Sequence, residues 1–225
     1  MTRTIDTPTL EGALVRHCSP TLAALKPASL FTFPGNFTEG THGARNRAAL
    51  RDAVDTCADQ LAPATIAIRV LAWRACGALV YVYRPQALEA YLRDPRATKT
   101  LARLGYDTAS LENSLRMLGE QLQSMREPKR TRTRTDSSAC PCTKRGCSSG
   151  FPHELGFFLG YPYEDVMGFI EHHGRDYLAA GPWKVYANLE GALATFERFR
   201  RCAAAYARAH QQGCRLAQLA VSPTR

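Results

Sequence analysis

The chain has 225 residues, of which 45% are hydrophobic, and its formal net charge is +9 at pH 7. This hydrophobic fraction is ordinary for a folded domain and excludes disorder of the whole chain. No run of about 18 apolar residues occurs, so neither a transmembrane helix nor a membrane partner is predicted. The N-terminal residues include acids and prolines where a signal peptide needs an apolar stretch, which predicts a cytoplasmic protein.

The positive charge is concentrated in one segment. Residues 126–150 contain seven basic and two acidic residues and therefore carry +5 of the net charge of +9. The stretch 127–150 has no large apolar residue, which predicts a flexible basic insert in one domain formed by residues 1–126 and 151–225. Its Arg-Thr run has no aromatic residues that would stack on bases, so nucleic-acid contact by the insert is not expected.

Helical and strand patterns follow one another without strict alternation. In chain order they predict a helix at Leu10–His17 that ends near Pro20, a strand at Ser29–Phe33, a helix at Arg45–Leu61, a hairpin of Thr65–Trp73 and Ala78–Tyr83, helices at Pro85–Leu92, Pro95–Leu104 and Leu111–Met125, a helical hairpin at Pro152–Ile170, a strand at Trp183–Tyr186, a helix at Leu189–His210 and a last strand at Arg215–Val221. This order predicts an α+β fold, with a mainly antiparallel sheet of about four to five short strands packed with helices.

The segment Phe151–Ile170 predicts two short helices that meet at a tight corner. Pro152 and Pro162 stand where the helices begin, a position that needs no backbone N–H. Gly160 can adopt the left-handed conformation that ends the first helix. Two acids, Glu164 and Asp165, complement the positive end of the second helix.

This corner, read as FPHELGFFLGYPYEDVMGFI, closely resembles the FPHE-(aliphatic)-G-x-FLGYP-x-EDV-x-GFI signature of an uncharacterised bacterial domain-of-unknown-function family, DUF family 3793. Further similarities lie at His17–Ala23, Lys26, Tyr83–Pro85, Trp183–Tyr186 and Cys202. The chain departs from the family pattern at Ala24, where a glycine is usual, in a longer insert, and in lacking a further cysteine just after Cys202. The resemblance implies a family and no activity.

Polar and reactive residues are concentrated in three of these motifs: the His17–Lys26 turn, the Phe151–Tyr161 corner and the Trp183–Tyr186 strand. Of the 29 basic residues only five are lysines, and Lys26 and Lys184 lie within motifs, which suggests roles that arginine cannot fill. The leading hypothesis is therefore a binding or regulatory protein with a small anionic or metal-linked ligand. The predicted ligand contacts are Lys26, His153, Glu154, Trp183, Lys184 and Tyr186.

Two alternatives remain open at this point. One is a thiol-dependent enzyme in which Cys18 is the nucleophile and His153 the base. The other is a scaffold that acts through its basic insert. His153 and Glu154 do not begin a metalloprotease HExxH motif, because Phe157 occupies the position of the second histidine.

The residues that suit a soft metal ion form two weak candidate sets. The candidates are Cys18, His153 and Cys202 from separate motifs, and Cys140, Cys142 and Cys147 within the insert. The spacing of the second set differs from that of zinc ribbons, and no fourth ligand lies nearby in the sequence. No cofactor and no reaction follow from these residues.

Overall fold

The computed structural model describes residues 5–38, 40–125 and 151–222. Its helices are Thr7–Leu22 (α1), Gly40–Leu61 (α2), Pro85–Leu92 (α3), Pro95–Arg103 (α4), Leu111–Ser124 (α5), Leu155–Phe158 (α6), Tyr163–Glu171 (α7), Leu189–Gln211 (α8) and Leu216–Leu219 (α9). Its strands are Ala28–Phe33 (β1), Ala67–Arg74 (β2), Gly77–Tyr83 (β3), Ala179–Ala180 (β4) and Lys184–Val185 (β5). The predicted α+β class is confirmed. The predicted basic insert lies outside the described residues.

The main sheet has three antiparallel strands in the order β1-β3-β2. All seven residues of β3 are buried, as expected for a central strand covered on both faces. A separate pair, β4 and β5, forms a second antiparallel sheet. In the described part of the chain the strands thus form two small sheets and not one sheet of four or five strands.

Helices cover both faces of the main sheet. Successive side chains of β3 point to opposite faces, and on each face they join a hydrophobic cluster with helices. Val80 and Val82 join a cluster with α1, α2 and α9. On the other face, Leu79 and Tyr81 join a cluster with α3, α4, α5, α6 and α7. Each fully buried Leu or Val contributes about 1.5–3 kcal/mol to stability. Both clusters combine residues from before and after the segment 126–150.

One predicted element end and one predicted element type are wrong. Helix α1 continues past Pro20 to Leu22, because the missing proline N–H removes one hydrogen bond while the Ala23 amide still donates to the Ser19 carbonyl at 2.8 Å. The segment Arg215–Val221 was predicted as a strand but contains helix α9, whose two leucines, three positions apart, are buried on one side.

Arg84 connects several chain segments at the end of β3. Its buried guanidinium donates to the carbonyls of Thr21 (2.7 Å), Leu22 (2.8 Å), Ala64 (3.1 Å) and Val221 (2.7 Å). The first two carbonyls belong to the last turn of α1, which leaves its carbonyl groups without partners inside the helix. The arginine therefore satisfies the helix end and fixes where the chain leaves α1 toward β1.

Across the described ranges, no helix is both long enough and apolar enough to cross a bilayer.

Candidate functional site

Two neighbouring cavities lie where the corner of α6 and α7 meets the segment between β4 and α8. The first, the Lys26 cleft, has a volume of about 430 Å³ and is lined by residues that include Lys26, Tyr161, Trp183, Asn188 and Phe199. The second, the His153 cavity, has a volume of about 330 Å³ and is lined by residues that include His153, Tyr161, Phe169, Trp183 and Lys184. Both volumes fall in the range that binds small molecules.

The two cavities share a wall made by Tyr161 and Trp183. Their rings stack with centroids 5.1 Å apart and an interplanar angle of 29°. The edge of Phe196 packs against Trp183 at 4.5 Å between centroids. The hydroxyl of Tyr91 donates to the Tyr161 carbonyl, which anchors the corner to α3. This wall is therefore held from several sides and presents aromatic surface to both cavities.

Asp165 holds the Trp183 side of this wall in place. Its side chain is 2% exposed and accepts three hydrogen bonds, from Trp183 Nε1 (2.7 Å) and from the amides of Tyr186 (2.7 Å) and Ala187 (2.9 Å). A buried carboxylate is tolerated only when its oxygens are satisfied in this way. Asp165, which lies on α7, thus fixes the position of Trp183 in the wall. This role is additional to the one predicted from its place at the start of the helix.

Lys26 is partly buried in its cleft without an acidic partner. Its Nζ lies 5.2 Å from the Tyr161 ring centroid and 6.0 Å from that of Phe199. Within the described ranges no carboxylate forms an ion pair with it, since Glu164 pairs with Arg96 at 2.6 Å and Asp165 is fully engaged. Burial therefore lowers the pKa of Lys26 to about 8.

The backbone on either side of Lys26 brings it to the corner. Ala24 adopts φ +57°, a left-handed conformation that glycine accepts more readily than alanine. Pro27 packs directly against Gly160, whose own φ is +69°. The absent side chain of Gly160 therefore lets the turn that carries Lys26 approach Tyr161.

Gly160→Ala is expected to destabilise the protein by about 2 kcal/mol, because the new Cβ lies 2.6 Å from Pro27 Cδ and the backbone stays left-handed. Urea denaturation measures this change. Gly12→Ala is the matched control, since nothing lies within 4 Å of its Cβ position and it stands inside a helix. Equal stability of the Gly160 variant and the wild type would contradict the close packing against Pro27.

The His153 cavity combines an imidazole and an ammonium with apolar walls. The His153 ring packs between those of Phe151 and Phe169, and burial lowers its pKa, so the neutral form predominates at pH 7. The Lys184 Nζ donates to the Gly174 carbonyl at 2.6 Å and lies 4.6 Å from the Tyr177 ring centroid. Lys184 therefore has a fixed partner, in contrast to Lys26.

The other predicted ligand contacts lie outside the linings of both cavities. Glu154 accepts a hydrogen bond from the buried Tyr106 hydroxyl at 3.0 Å. Tyr186 stacks on His172 with centroids 5.6 Å apart. Of the six predicted contacts, Lys26 thus lines the first cleft, His153 and Lys184 line the second cavity, Trp183 lies in the shared wall, and Glu154 and Tyr186 line neither.

Cys18 lies on α1, and its side chain belongs to the hydrophobic cluster that α1 forms with α2 and α9. Its side chain is fully buried, and burial raises the pKa of the thiol to about 12, although the nearby Lys26 ammonium acts in the opposite direction. A thiol in such surroundings stays protonated near neutral pH, so the thiolate that a nucleophile needs is not formed.

We expect iodoacetamide to label Cys18 only when the protein unfolds. Cys76, an exposed thiol, provides an internal control and should react in the native state. Peptide mass spectrometry after labelling near pH 7 separates the two sites. Native labelling of Cys18 at a rate similar to that of Cys76 would restore the thiol-enzyme alternative.

The first metal set, Cys18, His153 and Cys202, does not form a metal site. In the described part of the chain, no group of three or more His, Cys, Asp or Glu side chains could hold a metal ion. Cys202 lies on α8 and is half-buried, and burial raises the pKa of its thiol. The second set, Cys140, Cys142 and Cys147, lies outside the described residues.

Sequence reasoning did not name Tyr161 or Phe199 among the ligand contacts. Tyr161 ends the Phe151–Tyr161 corner, which was one of the three motifs singled out for the site. Phe199 lies on α8 and is 7% exposed. In the sequence it cannot be distinguished from an ordinary core residue of a helix.

The fold and the cavities together define an α+β protein with an aromatic-walled double cleft. The model of a family described as "Protein of unknown function (DUF3793)" matches residues 14–220, so the chain belongs to that family and the resemblance is confirmed. No curated protein and no solved structure matches the chain.

Proposed function

We propose that the protein is a cytoplasmic binding or regulatory protein that holds a small organic anion in the Lys26 cleft. The observation that carries this proposal is the ammonium of Lys26, which lies between two aromatic rings without a carboxylate partner among the described residues. Placing a cation in such surroundings costs free energy, and a bound anion would recover that cost.

The walls of the cleft indicate the rest of the ligand. Tyr161, Trp183 and Phe199 offer flat apolar surface beside the ammonium, which suits a planar or aromatic body attached to the anionic group. Asn188 adds a polar group at the opening. Its Oδ1 accepts the Gly191 amide at 3.1 Å, so its Nδ2 group is the part that can donate to an anion.

Titration calorimetry with phenyllactate and phenyl phosphate tests this proposal. Lys26→Met should weaken binding about tenfold or more, because it removes a charge-assisted contact. Lys26→Arg retains the charge and should bind within a few-fold of the wild type. Lys99→Met, which alters an exposed lysine, is the matched control. The proposal fails if Lys26→Met binds both compounds as tightly as the wild type.

His153→Ala separates the two cavities in the same assay. A ligand confined to the Lys26 cleft should bind this variant unchanged, whereas a ligand that extends past Trp183 should bind it more weakly. Ligand contacts by His153 and Lys184, and a metal-linked ligand, remain predictions that this comparison and elemental analysis of the purified protein address.

The two alternatives have less support. The surroundings of Cys18 do not favour a thiol-dependent enzyme that pairs it with His153. A scaffold that acts through the basic insert predicts that deleting Glu127–Ser149 abolishes partner binding while the fold persists.

A further inference from the structure

Lys26 has the surroundings of an amine nucleophile. Its Nζ lies at a cleft near two aromatic rings and forms no ion pair with a carboxylate among the described residues, so no negative charge there favours the charged form. Burial lowers its pKa to about 8. At pH 7 the side chain is therefore a neutral amine in roughly a tenth of the protein molecules. Desolvation in an apolar pocket is a known way to activate a lysine.

Lysine at this position is also chemically distinctive. Arginine supplies 24 of the 29 basic residues, and it would serve equally well or better for binding an anion by charge alone. Only the lysine amine can lose its proton near neutral pH and attack a carbonyl carbon. The Lys26 cleft therefore contains a group that simple anion binding does not require.

Lys184 shows the contrasting arrangement within the same site. Its Nζ donates to the Gly174 carbonyl at 2.6 Å and lies near two rings, which holds the ammonium in place. Lys99 is an exposed lysine on α4. The chain thus provides two internal references against which the reactivity of Lys26 can be measured.

We propose that Lys26 condenses with the carbonyl group of a small 2-oxo acid that carries an apolar or aromatic side chain, and so forms an imine in its cleft. This inference rests on the proposed anion binding and specifies the chemical class of the ligand. The carboxylate brings the ligand to the ammonium, the apolar group lies against Tyr161 and Trp183, and the carbonyl carbon is then beside Nζ.

The reaction is a dehydration without oxidation or reduction. The Nζ lone pair forms a bond to the carbonyl carbon, and the carbonyl π pair moves to oxygen, which takes up a proton from the solvent while nitrogen keeps both of its protons. The carbon–oxygen bond of this carbinolamine then breaks, and water leaves with a proton from nitrogen. The protonated imine remains cationic, so the adjacent carboxylate keeps an opposite charge beside it.

Reductive trapping of the full-length protein tests the inference. The protein is incubated near pH 7 with phenylpyruvate and cyanoborohydride, and peptide mass spectrometry measures the trapped amine at each lysine. Lys26 should be modified about tenfold or more faster than Lys99 and Lys184, because an ordinary lysine has far less neutral amine at this pH. Lys26→Arg should bind phenyllactate but give no adduct at position 26.

Phenyllactate, which lacks the carbonyl group, distinguishes the two proposals. If phenyllactate binds in a Lys26-dependent manner and phenylpyruvate traps Lys26 no faster than Lys99, the imine is wrong and anion binding stands. If neither compound binds, anion binding is wrong and the imine fails with it. Selective trapping at Lys26 supports both.

Discussion

Arg84→Ala is expected to lower the free energy of unfolding by about 4 kcal/mol, the largest effect of any variant considered for this chain. The substitution removes four hydrogen bonds from a charged donor and leaves the buried carbonyls of Thr21, Leu22 and Ala64, and the partly buried carbonyl of Val221, without their partner. Three of the four distances are 2.8 Å or shorter, as expected for charge-assisted bonds. Urea denaturation of the variant and the wild type measures the difference.

Two further variants make this measurement specific. Arg84→Lys retains the charge but offers three donors on one atom in place of the planar guanidinium, so we expect about half of the loss. Arg116→Ala removes an arginine whose partner, Glu120, is also exposed, and should change stability by less than about 1 kcal/mol. A loss for Arg84→Ala as small as that for Arg116→Ala would show that the network does not hold the segments together.

Asp165→Ala should cost about 3 kcal/mol and should also disrupt the site. It leaves Trp183 Nε1 and two backbone amides, all partly buried, without their acceptor. Urea denaturation measures the stability, and the indole N–H resonance of Trp183, one of only two tryptophans, reports its environment. We expect this resonance to shift and broaden as the Tyr161–Trp183 wall loosens.

Asp165→Asn separates the loss of the indole hydrogen bond of Trp183 from the loss of the two backbone hydrogen bonds. The asparagine oxygen still accepts from the backbone amides of Tyr186 and Ala187, but its NH₂ group then faces the indole N–H. Its cost should be about 1–2 kcal/mol, with the change confined to Trp183. Glu164→Gln, at the neighbouring position, alters an exposed pair with Arg96 and is the matched control. A wild-type Trp183 resonance in Asp165→Ala would contradict the positioning role.

The elements that sequence patterns located well are those with an unambiguous period. The β2–β3 hairpin and the end of α2 at Leu61 were predicted close to their observed positions, because their apolar residues recur at alternating or helical spacing, whereas α2 begins at Gly40, five residues before its predicted start. The segment Arg215–Val221 is too short to distinguish the two periods, and it was assigned wrongly. The end of α1 was misplaced because Pro20 removes only one backbone hydrogen bond, and the Ala23 amide still donates to the Ser19 carbonyl beyond it.

The site was predicted in part, through residue types and not through contacts. The scarcity of lysine pointed to Lys26 and Lys184, which line adjacent cavities. Asp165 was interpreted from its place at a helix start, whereas its donors lie 18 to 22 positions further along the chain. No local pattern encodes such a contact. The partners of Arg84 and the position of Phe199 are non-local in the same way.

The protonation of Lys26 is the most direct test of anion binding in its cleft. With ¹³Cε-labelled lysine, the five lysines give a simple NMR spectrum, and Lys26→Arg assigns the resonance. Without ligand, Lys26 should titrate near pH 8, because burial disfavours the ammonium. Saturating phenyllactate should raise this midpoint, since a nearby negative charge favours the charged form. An unchanged midpoint at saturation would contradict the binding of an anion by Lys26.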